Sequence, residues 1–262
     1  MLIAEIFRSW QGEGRLAGAE SLFVRLSGCN LRCRFCDTPY ASWSPEGEDL
    51  AVDEVVGRLK ALDESGPRAE VVLHESLLRR LQSDRLLRID SEGRFVGPLP
   101  VVITGGEPFL SGELGNLCAE LRRQGRHITI ETSGTIYAPV PCDLMSISPK
   151  LSNSTPAPDG DPRWTWRHET TRHAPDVVRR FAAEYEYQIK FVIDDPADID
   201  EVEQYLEEVR EIDRRRVWLM PQGVRADDLA EKAVWLEPLC RQHGFEFCPR
   251  WQVEWFRARR GW

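Results

Sequence analysis

The stretch Ser21-Leu22-Phe23-Val24-Arg25-Leu26-Ser27-Gly28-Cys29-Asn30-Leu31-Arg32-Cys33-Arg34-Phe35-Cys36-Asp37-Thr38 runs from an apolar, β-branched segment straight into a loop that carries three cysteines. Its first part, about residues 21–27, has the composition of a strand, and Gly28 ends it. Further strand-like runs lie at about 101–105, 127–132, 144–148, 186–193, 216–220 and 245–249. Between them, helical patterns at about 51–63, 112–124, 198–212 and 226–243 carry apolar residues at spacings of three and four, as in Ile199, Val202, Tyr205, Leu206 and Val209. Repeated strand–helix alternation predicts an α/β fold with a parallel sheet. Four polar motifs fall where strands give way: Thr104-Gly105-Gly106-Glu107-Pro108, Glu131-Thr132-Ser133-Gly134, Ser148-Pro149-Lys150 and Pro221-Gln222-Gly223. Residues at the carboxyl ends of such strands line the ligand site in α/β barrels, so these motifs and the cysteine loop are expected around one pocket.

The 262 residues suit one domain of barrel size, and 34 Lys and Arg against 43 Asp and Glu leave a net charge of −9. That balance argues against nucleic acid as a partner. No apolar run approaches the ~18 residues of a membrane span, and the amino-terminal MLIAEIFRSWQGEG lacks the basic start and apolar core of a signal peptide. A cytoplasmic protein without a membrane partner is expected. Two stretches interrupt the alternation. Residues 65–98 combine a helix-like segment with the turn-rich Asp90-Ser91-Glu92-Gly93, and the Pro-rich residues 152–177 read as a long loop.

In a cytosolic chain three cysteines within eight residues read as metal-binding rather than as a disulfide framework. Cys118 and Cys240 lie in apolar helical patterns and are expected to be small core residues. Three thiolates on a short loop hold three irons of a cubic 4Fe–4S cluster and leave the fourth open. The alternative is a zinc site completed by His74 or a distant Cys. The Cys29-x3-Cys33-x2-Cys36 spacing, with Phe35 before the third Cys, resembles the radical S-adenosylmethionine superfamily. The resemblance implies that the amino and carboxylate groups of S-adenosylmethionine chelate the open iron and that one electron cleaves the sulfonium to a 5′-deoxyadenosyl radical. Gly105-Gly106-Glu107-Pro108 looks like the superfamily's GGEP motif, which implies that its backbone and carboxylate hold the methionine amino group.

A more particular resemblance rests on Ser9-Trp10-Gln11-Gly12-Glu13-Gly14, on Arg25 four residues before Cys29, and on Cys36-Asp37-Thr38. These residues resemble the 7-carboxy-7-deazaguanine synthase family, and the four strand-end motifs extend the likeness over most of the chain outside the two interruptions. The family's fold is a modified, incomplete (β/α) barrel in a homodimer. Membership implies a lyase that takes 6-carboxy-5,6,7,8-tetrahydropterin to 7-carboxy-7-deazaguanine and ammonia by radical ring contraction, in deazapurine and queuosine synthesis. It also implies magnesium at the substrate carboxylate, regenerated S-adenosylmethionine, and an electron donor such as a flavodoxin.

Residue chemistry fits these tasks. A buried Glu13 carboxylate suits the N–H donors of a pterin edge, Arg25 offers a fork to the substrate carboxylate, and the Thr38 hydroxyl is a hard ligand for magnesium. The bland alternatives are a cap for Glu13, a surface pair on an edge strand for Arg25, and a helix cap before Pro39 for Thr38. By the same resemblance Trp10, Gln11, Gly12 and Thr104 touch substrate, and Trp262 lies near it as the last residue. Phe35, Asp37, Gly105, Gly106, Glu107, Ser133, Ser148, Pro149, Lys150 and Gln222 surround S-adenosylmethionine. The Arg- and Trp-rich carboxyl terminus also suits dimer contacts. Competing readings are a glycyl-radical-enzyme activating protein and, in another class, an iron–sulfur electron carrier.

Overall fold

A computed structural model describes residues 1–65, 73–90, 96–157, 160–257 and 261. In chain order the elements are β1 (Leu2–Trp10), β2 (Glu20–Leu26), α1 (Pro39–Ser42), β3 (Glu48–Asp49), α2 (Val52–Glu64), α3 (Glu75–Ser83), β4 (Val101–Gly105), α4 (Leu114–Arg123), β5 (Ile128–Thr132) and β6 (Leu144–Ile147). They continue with α5 (Pro162–Arg172), α6 (Pro175–Glu184), β7 (Tyr187–Ile193), α7 (Asp198–Glu208), β8 (Val217–Pro221), α8 (Ala226–His243), β9 (Glu246–Phe247) and α9 (Trp251–Phe256). The nine strands form one sheet in the order β3-β1-β2-β4-β5-β6-β7-β8-β9. From β2 to β9 every pairing is parallel, and only β1 runs antiparallel, to both β2 and β3. The two ends of the sheet do not pair with each other, so the barrel is incomplete.

Period-two alternation along the parallel strands separates a greasy face from a polar one. Val24, Ile103, Ile130, Ile147, Ile189 and Leu219 point into the main core with Leu117, Leu121, Phe181, Val202 and Leu236 of the flanking helices. Truncating one such buried leucine to Ala costs about 2–5 kcal/mol. The alternate positions Arg25, Thr104, Glu131, Ser146, Lys190 and Met220 face the barrel interior and line its cavity. Cys118 and Cys240 sit buried on α4 and α8, as expected of core residues. No helix among the described residues is long and apolar enough to cross a membrane.

The structure departs from the expected element map at several points, with β1, β3, most of α6 and α9 outside it. β1 was not anticipated, because a register irregularity between Ile3 and Glu5 breaks its alternation. The expected loop over 152–177 instead holds α5 and the start of α6. Pro162 and Pro175 serve as first-turn residues, and the Asp161 carboxylate accepts from the Arg163 amide at 3.0 Å. α5 has no apolar stripe and buries only His168, so no periodicity announced it. The expected helix in 65–98 is α3, whereas Leu86 and Leu87 lie beyond its end, and residues 66–72 and 91–95, with Ser91, Glu92 and Gly93, lie outside the described residues.

Candidate active site

A cavity of about 670 Å³ opens at the carboxyl ends of the parallel strands. The cysteine loop leaves β2 and forms one wall, with Cys29, Cys33, Phe35, Cys36, Asp37 and Thr38 all reaching the cavity. Its shape is set by backbone contacts to the loop after β4. The Gly106 amide donates to Leu26 O at 3.0 Å and the Glu107 amide to Gly28 O at 2.8 Å. At Gly106 a Cβ would stand 1.9 Å from the Gly28 carbonyl oxygen, so only glycine permits this approach. Burial pushes the Cys29 and Cys33 thiols up to about 11 and about 12, with the neighbouring Cys36 adding to both.

The facing wall is built from side-chain charge. Lys190 of β7 donates to Glu13 at 2.8 Å and stands 3.6 Å from Glu131, while Gln252 of α9 donates to Glu13 at 2.6 Å. Arg250 reaches Glu13 at 3.4 Å and also pairs with Asp37 and with the Gly223 carbonyl. Burial would raise the Glu13 carboxyl, but Lys190 and Arg250 outweigh it and hold the group down to about 2. The Lys190 ammonium, opposed by burial, is stabilised by Glu13 and Glu131 and held above the ordinary lysine range. Glu131 also accepts from Gln11 at 3.2 Å and from Thr104 at 2.9 Å. The Trp251 amide donates to Gly12 O at 3.1 Å, and a Cβ at Gly12 would lie 2.1 Å from the Gln252 side chain. The glycine therefore lets α9 close against the amino-terminal segment.

Arg25 lies on an interior strand, flanked by β1 and β4, rather than on an edge. Its Nε donates to Glu5 at 2.9 Å, Tyr40 donates to the same carboxylate oxygen at 2.7 Å, and the guanidinium still reaches the cavity. Thr38 stands at the N-cap of α1, yet its hydroxyl makes no capping hydrogen bond. Glu13 is an ion-pair partner rather than a cap. Lys150 donates to the Ser148 carbonyl at 2.5 Å and to its hydroxyl at 2.7 Å.

The cavity thus gathers Trp10, Gln11, Gly12, Glu13, Arg25, the three cysteines, Phe35, Asp37, Thr38, Thr104, Gly105, Gly106, Ser148, Lys150 and Gln222. It does not gather Glu107, Ser133 or Pro149. Glu107 is buried and both its oxygens are taken, one by Thr132 Oγ1 at 2.8 Å and the other by the Ser133 amide at 2.9 Å and hydroxyl at 2.5 Å. In this arrangement the carboxylate clasps the end of β4 to the end of β5. Trp262 lies outside the described residues. Sequence reading missed Lys190, Arg250 and Gln252, and it placed Glu131 in a strand-end motif without a role of its own. A signal existed for Lys190, a lone charge in Tyr187-Gln188-Ile189-Lys190-Phe191-Val192-Ile193, where burying an unpaired ammonium is prohibitive. Arg250 and Gln252 carried none beyond their place in the Arg- and Trp-rich terminus.

Residues 23–150 match the family model described as the radical SAM superfamily. The chain is 38% identical over 262 residues to a 7-carboxy-7-deazaguanine synthase of Rhodopirellula baltica, covering 100% of this chain and 88% of the relative. It is 37% identical over 260 residues to the enzyme of that name from Halobacterium salinarum, covering 96% and 88%. Among solved structures, QueE from Escherichia coli superposes with a TM-score of 0.57 over 95% of this chain and 92% of that one at 22% identity, a likeness of fold. A cysteine loop at the end of the first parallel strand, a glycine pair that locks it, and full-length similarity to synthases of one name converge: the chain belongs to the 7-carboxy-7-deazaguanine synthase family of radical S-adenosylmethionine enzymes.

Proposed function

We propose that residues 1–262 act as one catalytic unit that converts 6-carboxy-5,6,7,8-tetrahydropterin to 7-carboxy-7-deazaguanine and ammonia, a lyase step in deazapurine synthesis leading to queuosine. The observation that carries this reading is the placement of an all-thiol wall and a charged, hydrogen-bonding wall across one cavity within the ~300–1,000 Å³ range of small-molecule sites. Cys29, Cys33 and Cys36 hold a 4Fe–4S cluster. The donor set fits, since three soft sulfurs share one wall of the cavity. When bound, the cluster and S-adenosylmethionine supply the radical that takes hydrogen from C6 of the pterin.

The chain's own residues orient the reactants. Arg25 faces the substrate carboxylate, its fork steadied by Glu5, and Glu13 presents to the pterin edge whichever lone pairs Lys190, Arg250 and Gln252 leave free. The Thr38 hydroxyl, which makes no capping hydrogen bond, would supply one hard ligand to a magnesium ion at the substrate carboxylate. Gly106, Phe35, Asp37, Ser148, Lys150 and Gln222 surround S-adenosylmethionine, with Trp10, Gln11, Gly12 and Thr104 on the substrate side. The enzyme works in the cytoplasm as a homodimer, reduced by a donor such as a flavodoxin, with no nucleic-acid or membrane partner.

Anaerobic incubation with 6-carboxytetrahydropterin, S-adenosylmethionine and a reductant is expected to yield 7-carboxy-7-deazaguanine and ammonia. Cys33→Ala is expected to lose both iron and S-adenosylmethionine cleavage. Cleavage of S-adenosylmethionine without any turnover of the pterin would reject this substrate and favour a protein-activating enzyme.

A further inference from the structure

The inserted helix α5 exposes Trp166 to solvent but buries one titratable side chain completely, His168, at 0% exposure. The reading of the cavity above gives this residue no task, and it does not line the cavity. Its Nδ1 accepts the backbone amide of Arg32 at 3.1 Å, in the middle of the cysteine loop between Cys29 and Cys33. A ring nitrogen that accepts an amide hydrogen carries no proton, so the other nitrogen, Nε2, is the protonated one. That N–H points at Ser154 Oγ, 2.9 Å away, and the Ser154 hydroxyl in turn donates to Leu151 O at 2.6 Å. Every donor in the chain from Arg32 to Leu151 has an acceptor, and Ser154 is as fully buried as His168.

Further contacts close the same joint. The Arg34 amide donates to Ser154 O at 2.9 Å, and the Arg32 guanidinium lies 3.5 Å over the Trp164 ring. The far end of α5 is bolted to the opposite side of the site, where Arg172 donates to Lys150 O and to Glu201, both at 3.1 Å. The helix therefore ties the cysteine loop to the Ser148-Pro149-Lys150 segment. The Arg32 amide donates to His168, next to the Leu31 amide that donates to Cys29 Sγ at 3.4 Å, and hydrogen bonds to sulfur are among the factors that tune an iron–sulfur centre.

We propose that His168 is a positioning residue for the cysteine loop: through the Arg32 amide it fixes the backbone between Cys29 and Cys33 in the form that retains the cluster. The inference rests on the assignment of those cysteines as cluster ligands. Its test compares His168→Leu, which fills the buried space without an acceptor, with His168→Asn, whose Oδ1 can replace Nδ1 as acceptor. Amide hydrogen exchange on the cluster-free protein reports the loop directly. The Arg32 amide is expected to exchange at least tenfold faster in His168→Leu than in the unmutated protein and to be largely protected again in His168→Asn. In the anaerobically reconstituted protein, iron release to a chelator is expected to be about tenfold faster in His168→Leu and to return within about threefold of the unmutated rate in His168→Asn, in line with one hydrogen bond. Equal exchange and iron-release rates in folded His168→Leu, or no difference between the Leu and Asn variants, would overturn the proposal. Should His168→Leu fail to fold, Ser154→Ala, which keeps the imidazole but removes the acceptor of its N–H together with the bond to Leu151 O, is expected to move both rates in the same direction by a smaller factor, and unchanged rates there would reject it. If unmutated protein bound no iron while the exchange pattern held, the cluster assignment would fall and the loop brace would stand.

Discussion

The two walls of the cavity are built on different principles. The cysteine wall is locked to the neighbouring strand by main chain against main chain: Leu26 and Gly28 carbonyls accept from the Gly106 and Glu107 amides, at a distance that only a glycine at 106 permits. The facing wall is held mostly by side-chain charge, with Lys190 between Glu13 and Glu131, and Arg250 ties Glu13 across to Asp37 of the cysteine loop. A main-chain lock excludes any added atom but carries no charge to balance. A charged wall tolerates changes of shape, yet each member depends on its partners remaining.

The largest effect is expected where one partner of the charged wall is removed. Lys190→Met leaves Glu13 and Glu131 short of their shared cation, at a cost of about 3–5 kcal/mol in the unfolding free energy of the cluster-free protein. Adding Glu13→Gln should recover part of that loss. A double variant no more stable than the single would show that charge balance does not hold this wall. At the cysteine wall Gly106→Ala is expected to cost about 3 kcal/mol, because its Cβ would meet backbone 1.9 Å away. Iron binding should fall with it. Here no second side-chain change should rescue, and recovery through one would erase the distinction between the walls.

Arg25 belongs to both descriptions, being strand-borne and charged. Arg25→Ala is expected to lower kcat/KM for the pterin by about 2–4 kcal/mol, or ~30- to 1,000-fold, while iron content and uncoupled S-adenosylmethionine cleavage persist. Near-normal turnover would confine Arg25 to its pairing with Glu5. The smallest effect concerns pH. The folded Glu13 carboxyl sits at about 2 against an ordinary 4.5, so its contribution is complete above about pH 4.5 and fades as pH falls toward 2. Urea unfolding between pH 5 and pH 3 should therefore show a decline that Glu13→Gln reduces by about 1–2 kcal/mol. An unchanged acid limb in that variant would mean the carboxylate is not held by Lys190 and Arg250.

Legibility in the sequence followed the same divide. The cysteine loop, the glycine pair and the strand ends were readable because each is a short run in which residue type and spacing carry the chemistry. Of the residues expected around S-adenosylmethionine, Glu107, Ser133 and Pro149 do not line the cavity, and the Glu107 oxygens accept from Thr132 and Ser133. α5 was unreadable because it has no apolar stripe and is anchored by one buried imidazole and by arginine contacts.

The parallel α/β alternation and the thiol chemistry at the first strand end are written in the chain, since each depends on neighbours within a few residues. What stands opposite the thiols comes from folding. Lys190 meets Glu13 across 177 residues of chain, Gln252 meets it across 239, and His168 reaches Arg32 across 136. Residues so far apart leave no periodic trace. Their pairing follows from the cost of burying a lone charge or amide, and the fold meets that cost by bringing a distant partner to it.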